Sequence, residues 1–158
     1  MTDEKTGSHI QSAFHEALNR FQADAPVLIL GHNDADGLSA SALLARAFSR
    51  HGTNCQVRIL GRGENPWADA LRTELCGIPV GGLIVTDLGV REGVILEGVE
   101  TVVIDHHVPT GVPAIVISGS EMEPIPTSSL LAYWCTSAIA EVDDLLWIAA
   151  LGIIGDIA

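Results

Sequence analysis

Three segments of this 158-residue sequence place aspartate, or aspartate together with histidine, at the end of an apolar run. They are GHNDADG at 31–37, VTD at 85–87 and VVIDHH at 102–107, and a further aspartate lies in the apolar C-terminal stretch. Carboxylates and imidazoles without a nearby thiolate are ligands suited to Mn²⁺, or more weakly to Mg²⁺. The candidate site residues are His32, Asp34, Asp36, Asp87, Asp105, His106, His107 and Asp156.

The number of charges in this set favours metal binding. Five carboxylates and three imidazoles brought together would raise the carboxylate pKa values by repulsion unless cations neutralised them. Two divalent ions would do so, and one aspartate between ions about 3.5–4 Å apart is the arrangement that stabilises phosphoryl transfer. Taken singly, DADG is typical of a turn, and the two adjacent histidines could simply end a strand. Their joint occurrence after three apolar runs favours the metal interpretation.

The surrounding sequence predicts an α/β fold. Strands are expected at 27–30, 55–60, 82–87, 101–105 and 114–118, because short apolar runs there alternate with helical patterns. Several runs are apolar at consecutive positions, which is typical of strands covered on both faces. We therefore expect a mainly parallel sheet of about five strands with helices on both faces. An N-terminal helix is predicted over about residues 8–22, and helices are predicted again after the fifth strand. Since parallel strands end at one edge, the candidate residues should converge there.

Composition narrows the function classes. Apolar residues make up 47% of the chain and charged residues 18%, which favours one globular domain with a sizeable core. The formal charge of −12 excludes a broad cationic surface for nucleic acid or an anionic membrane. Three cysteines without a CxxC pair argue against a disulfide framework and for a cytoplasmic protein. The N-terminus does not resemble a secretory signal, and the apolar stretch 145–158 is shorter than a membrane span.

Some aromatic and hydroxyl residues leave two interpretations open. Thr127, Ser128 and Ser129 precede a helical segment, where they could act as N-caps or offer backbone N–H groups to an anion. The three tryptophans, Trp67, Trp134 and Trp147, could stack on bases, but packing in the core is the favoured interpretation.

Four of the quoted segments resemble a known family. GHNDADGLSA, VTDLG, VVIDHHVP and GIIGDIA are similar to motifs one to four of the DHH phosphoesterases, in the order that the family has them. The resemblance covers about residues 27–158, and the compact His-x-Asp-x-Asp-Gly spacing is more similar to the RecJ-like branch. It implies the DHH fold and two Mn²⁺ ions, with Mg²⁺ as the weaker choice.

The resemblance also implies a role for each candidate residue. Asp105 would orient a histidine by accepting a ring hydrogen bond, and His107 would face the scissile phosphate. The implied metal ligands are His32 and Asp34 for one ion, Asp36, His106 and Asp156 for the second, and Asp87 for both.

The implied function is hydrolysis of phosphodiester bonds in single-stranded or short oligonucleotides by a RecJ-like exonuclease. A small-nucleotide phosphatase or a cyclic dinucleotide phosphodiesterase is the alternative within the class. Family members usually continue into a second, substrate-binding domain with a glycine-rich segment, and no such segment follows Asp156. We therefore expect residues 1–158 to form the catalytic DHH domain alone. A non-catalytic domain that binds metal or a partner is the alternative from another class.

Overall fold

The computed structural model of the protein describes residues 3–111 and 115–157. The N-terminal helix begins and ends earlier than predicted, at residue 3 and residue 18. The strands are β1 (Val27–Gly31), β2 (Cys55–Ile59), β3 (Gly82–Thr86), β4 (Thr101–Asp105) and β5 (Ile115–Ser118). The helices are α1 (Asp3–Leu18), α2 (Ala35–His51), α3 (Asp69–Leu75), α4 (Ser128–Thr136) and α5 (Leu146–Ile157), with a 3₁₀ turn at Asp143–Leu145.

The five strands form one parallel sheet in the order β2-β1-β3-β4-β5. In the register of the sheet, Gly31 at the end of β1 pairs with Thr86 at the end of β3, and Thr86 pairs with Ile104 near the end of β4. The residues that follow these three strands therefore emerge side by side at one edge. This arrangement confirms the predicted fold class.

Both faces of the sheet are covered, as the consecutive apolar residues in the strands predict. In β1, Ile29 packs on the side of α1, α2, α4 and α5, while Leu28 and Leu30 pack on the side of α3 and the loop after β3. Residues of β3 alternate in the same way, with Ile84 on the first side and Val85 on the second. The result is a buried sheet with a separate apolar layer on each face.

A crevice opens where neighbouring strands send their connections in opposite directions. From β1 the chain passes through α2 to β2 on one side, whereas from β3 it continues to β4 on the other side. Ligands of open α/β sheets bind at this point, outside the carboxyl ends of the strands. His32 and Asp87 follow the two strands that border the crevice.

Helix α5 packs closely against α2 and α4 through two glycines. A Cβ at Gly152 would lie 2.3 Å from Ser129 Oγ, and a Cβ at Gly155 would lie 2.3 Å from Ala35 Cβ. Only a residue without a side chain allows this approach. The close contact brings the C-terminal end of α5, with Asp156, to the end of β1.

The outer face of α5 is exposed and apolar. Trp147 is 61% exposed, so the prediction that it packs in the core is wrong, because Ile148 and Ala149 of the same helix face the core instead. Leu146, Leu151 and Ile154 of α5 are also large apolar side chains that are exposed. Within the described residues, we find no helix with the length and apolarity needed to cross a bilayer.

Candidate metal centre

The turn after β1 holds His32 against two carboxylates. His32 Nδ1 lies 2.6 Å from Asp34 Oδ2 and 3.5 Å from Asp87 Oδ2. Asp34 is also the N-cap of α2, where its Oδ1 accepts a hydrogen bond from the Gly37 N–H at 2.9 Å. Partial burial would raise the pKa of Asp34, but the Gly37 N–H and the nearby His32 ring lower it overall. Asp34 therefore presents a charged oxygen to the crevice.

Asp36 is buried beneath this turn, in the first turn of α2. Its two carboxylate oxygens accept backbone N–H bonds from Ser128 and Ser129, each at 2.8 Å. The anion held by the N-terminus of α4 is therefore a side chain of the protein itself. Thr127 is the N-cap, since its hydroxyl accepts a hydrogen bond from the Leu130 N–H.

Asp87 lies between the two histidines of neighbouring strands. Its Oδ2 is 3.5 Å from His32 Nδ1, and its Oδ1 is 3.6 Å from His106 Nε2. The Ser128 hydroxyl also donates to Oδ1, at 3.0 Å. Burial raises the pKa of Asp87, and the negative charge of Asp36 raises it further. Asp87 is the single non-glycine residue with a left-handed backbone among those described, with φ 61°, which is a costly conformation.

His106 contributes a buried nitrogen without a hydrogen bond. Its Nε2 is 3.6 Å from Asp87 and 3.9 Å from Asp36, and it has no hydrogen-bond partner among the described residues. The neighbouring Asp87 carboxylate raises the pKa of His106. A buried polar atom normally has a partner, so this nitrogen fits a ligand such as a metal ion.

His107 is held by Asp105 at the edge of the crevice. Asp105, which is fully buried, accepts hydrogen bonds on Oδ1 from the His107 ring Nδ1 at 2.7 Å and from the His107 backbone N–H at 2.8 Å. The Asp105 hydrogen bond raises the pKa of His107 to about 9. Burial alone would raise the pKa of Asp105, but the bonds from His107 and from the Gly89 N–H lower it. The side chain of His107 is 56% exposed.

The structure brings all eight predicted residues to this edge of the sheet. Ligand atoms lie within 4.8 Å of one another in each of three groups: His32, Asp34 and Asp87; Asp36, His106 and Asp156; and Asp87, His106 and His107. The first group contains the residues that the resemblance implies for one ion, and the second contains those implied for the other ion except Asp87, which is instead grouped with His106 and His107. A cleft of about 670 Å³ opens above them, lined by His32, Asp34, Asp87, His107 and Asp156 among others.

Sequence reasoning missed two supports of the site. The Ser128 hydroxyl bonds to Asp87, and the Gly89 backbone N–H bonds to Asp105 at 2.7 Å. The sequence offered Ser128 as an N-cap or as a backbone N–H donor to an anion, and its N–H does bind the Asp36 carboxylate, but nothing pointed to a hydroxyl bond with Asp87. Its partner lies 41 residues away in sequence, so no local pattern could pair them.

Comparison with known proteins agrees with this fold and gives the family. The model of the DHH family, N-terminal domain, matches residues 26–153. The chain therefore belongs to the DHH family, as its four motifs predict. Asp156 lies just beyond the matched residues, so its place beside Asp36 and His106 is an observation of the structure.

Solved structures of RecJ have the same fold. A manganese-bound exonuclease RecJ superposes with a TM-score of 0.77 at 21% identity, covering 94% of this chain and 43% of that one. RecJ from Thermus thermophilus in complex with Mn²⁺ superposes with a TM-score of 0.76 at 22% identity, covering 94% of this chain and 24% of that one. CDC45 from Entamoeba histolytica superposes with a TM-score of 0.72 at 14% identity, covering 96% of this chain and 34% of that one. The chain thus spans less than half of each of these proteins. A search of curated protein sequences found no match.

Proposed function

We propose that this chain is a metal-dependent phosphodiesterase that hydrolyses phosphodiester bonds of single-stranded or short oligonucleotides, in the manner of a RecJ-like exonuclease. The observation that carries the proposal is the buried, unpartnered Nε2 of His106 beside two buried carboxylates, Asp36 and Asp87. Membership of the DHH family and the fold shared with RecJ support the reaction class.

The donor set fits two divalent ions. In this proposal one ion is held by His32 and Asp34 and the second by Asp36, His106 and Asp156, with Asp87 shared because its two oxygens face different histidines. Oxygen and imidazole donors suit Mn²⁺ best and Mg²⁺ less well. Divalent ions in such a site lower the pKa of water and stabilise charge on a phosphate.

His107 and Asp105 are proposed to serve the substrate. Nδ1 of His107 is hydrogen-bonded to Asp105, so the ring keeps one orientation. Its Nε2 is then available to a substrate in the cleft. The carboxylate also favours the protonated ring, which can stabilise a phosphate oxygen or give a proton to the leaving oxygen. Asp105 is thus a positioning residue, whereas His107 acts on the substrate.

The cellular setting is also a proposal. Cys55, Cys76 and Cys135 are all free thiols, which is usual in a reducing compartment. We therefore infer that the protein works in the cytoplasm.

A substrate panel tests the function. The protein is incubated with Mn²⁺, or with EDTA, and single-stranded DNA, single-stranded RNA, dinucleotides, cyclic dinucleotides or pyrophosphate. We expect the parent protein to cleave the single strands in Mn²⁺ and not in EDTA. The Asp87→Asn variant should cleave none of them in either condition. Turnover limited to cyclic dinucleotides or mononucleotides would favour the alternative within the class. Tight Mn²⁺ binding without turnover of any substrate would favour a non-catalytic domain.

A further inference from the structure

The loop after β3 brings a cation into the acidic cleft. Arg91 lines the cleft, and no other Lys or Arg of the described residues does so. The acidic lining residues are Asp34, Glu64, Asp87, Glu92 and Asp156. An oligonucleotide carries one phosphate between each pair of nucleotides. Any phosphate that the metal ions do not neutralise would be repelled by the carboxylates of this cleft. A single guanidinium there is therefore well placed to hold one such phosphate.

The guanidinium of Arg91 is free to bind an anion. It lies 5.9 Å from the centroid of the Trp67 ring, and it makes no ion pair with the described residues. By contrast, Arg58 is bound by Glu64 and Glu74. A guanidinium over an aromatic ring is held in place, yet its N–H donors remain available for the two oxygens of a phosphate.

The backbone just before Arg91 is anchored at two successive residues, Gly89 and Val90. The Gly89 N–H bonds to Asp105 Oδ2 at 2.7 Å. The Val90 carbonyl accepts two hydrogen bonds from Thr110, from its N–H at 2.9 Å and its hydroxyl at 3.1 Å, and the Val90 side chain is buried. Because the other oxygen of Asp105 holds His107, one buried carboxylate fixes both His107 and the loop. The backbone that leads into Arg91 is therefore tied to the same carboxylate as His107.

We propose that Arg91 binds the phosphate next to the scissile one and so selects substrates with two or more phosphates in a chain. This assignment rests on the proposed function, because it uses the same cleft. It predicts that oligonucleotides bind better than molecules with a single phosphodiester. Loss of a charged hydrogen-bond donor should weaken oligonucleotide binding about tenfold.

Binding in the presence of Mn²⁺ tests the assignment. A His107→Ala background slows turnover, and fluorescence anisotropy then measures the affinity for a single-stranded DNA 12-mer at several salt concentrations. Adding Arg91→Ala should reduce the affinity about tenfold and lower the slope of log K against log [salt] by about 0.7, as expected for one lost phosphate contact on a single strand. Arg91→Lys should keep most of the slope. Arg46→Ala, which removes a cation on α2 outside this cleft, is the matched control and should change neither quantity.

Competition with short ligands identifies the phosphate. A dinucleoside monophosphate is compared with the same dinucleotide carrying a terminal 5′-phosphate or 3′-phosphate. One of the added phosphates should strengthen binding in the parent and lose its effect in Arg91→Ala.

The two proposals can fail separately. Equal affinity and slope in Arg91→Ala and the parent, or equal losses in Arg46→Ala, would overturn the assignment of Arg91 even if oligonucleotides are cleaved. A binding loss specific to Arg91→Ala, in a protein that cleaves nothing in the substrate panel, would instead overturn the proposed function and leave Arg91 as a phosphate-binding residue. Melting temperatures of all variants show whether each remains folded.

Discussion

The hydroxyl of Ser128 donates a hydrogen bond to Asp87 Oδ1 over 3.0 Å, which joins the first turn of α4 to the end of β3. The Ser128 backbone N–H also binds the buried carboxylate of Asp36. Helix α4 is thus attached to two carboxylates of the candidate metal centre. The site and the packing of the helical layer therefore depend on the same hydrogen bonds.

Asp36→Asn should destabilise the fold even without metal. One of its two oxygens would become an NH₂ group facing a backbone N–H of α4, so a charge-assisted hydrogen bond is lost inside the protein. We expect the free energy of unfolding in EDTA to fall by about 1–3 kcal/mol, measured by urea denaturation. Asp34→Asn is the control, because asparagine is an equally good N-cap and Asp34 is exposed. Equal losses in the two variants would contradict the structural role of Asp36.

Mn²⁺ should stabilise the protein. Ions that bind the folded carboxylate cluster and not the unfolded chain contribute about 2.7 kcal/mol at a concentration 100 times the dissociation constant. For a chain of this size, the melting temperature should then rise by about 5–10 °C. Differential scanning fluorimetry in Mn²⁺ and in EDTA measures the shift. Asp69→Asn, at a carboxylate 95% exposed on α3, should leave the rise intact. An unchanged melting temperature at millimolar Mn²⁺ would count strongly against the site.

Asp87→Asn should weaken both ions together. An asparagine has the same shape, but it offers one good oxygen and no charge, whereas Asp87 presents one oxygen to each histidine. Asp34→Asn should chiefly weaken the ion held with His32. Isothermal titration calorimetry with Mn²⁺ separates these outcomes. Two tight ions remaining in Asp87→Asn would show that the bridging assignment is wrong.

His107→Ala should lower turnover without removing a metal ion. The ring is held by Asp105 at the rim of the cleft, so under the proposed function its loss removes a group that would serve the phosphate. We expect kcat to fall about 10²–10⁴-fold, while metal analysis still finds the parent's Mn²⁺ content. His106→Ala is the neighbouring comparison and should lose an ion. If His107→Ala also lost an ion, the roles of the two histidines would have to be exchanged.

Gly152→Ala should be destabilising although alanine favours helices. The added Cβ would lie 2.3 Å from Ser129 Oγ and 3.0 Å from Asp36 Oδ1. Overpacking typically costs about 1–3 kcal/mol, which exceeds the gain in helix propensity of about 1 kcal/mol. Urea denaturation should therefore show a net loss. Ile154→Ala, on the exposed side of α5, is the control and should have a small effect.

The sequence was sufficient to predict the strands and the edge where the site lies. Strands covered on both faces have continuous apolar runs, and parallel strands must end together, so His32, Asp87 and His106 were expected to meet. The same reasoning could not predict which side of α5 faces away from the core. That helix is apolar on almost every side, so periodicity did not distinguish Trp147 from Ile148.

The supporting hydrogen bonds could not be predicted for a different reason. Asp36 and Ser128 are 92 residues apart, and their contact exists only because α4 packs across α2 in the folded protein. Similarly, the pairing of Asp105 with Gly89 requires the loop after β3 to return over β4. Local sequence determines which groups need partners, but the docking of the elements determines which partners they find.

The left-handed backbone of Asp87 sets folding against the proposed metal binding at a single position. Glycine would adopt φ 61° without strain, and it would also remove a buried carboxylate that repels Asp36. A population of sequences selected only for folding would therefore drift away from aspartate at position 87. If the proposed metal centre is right, an aspartate there carries a cost in folding energy in exchange for a bridging carboxylate.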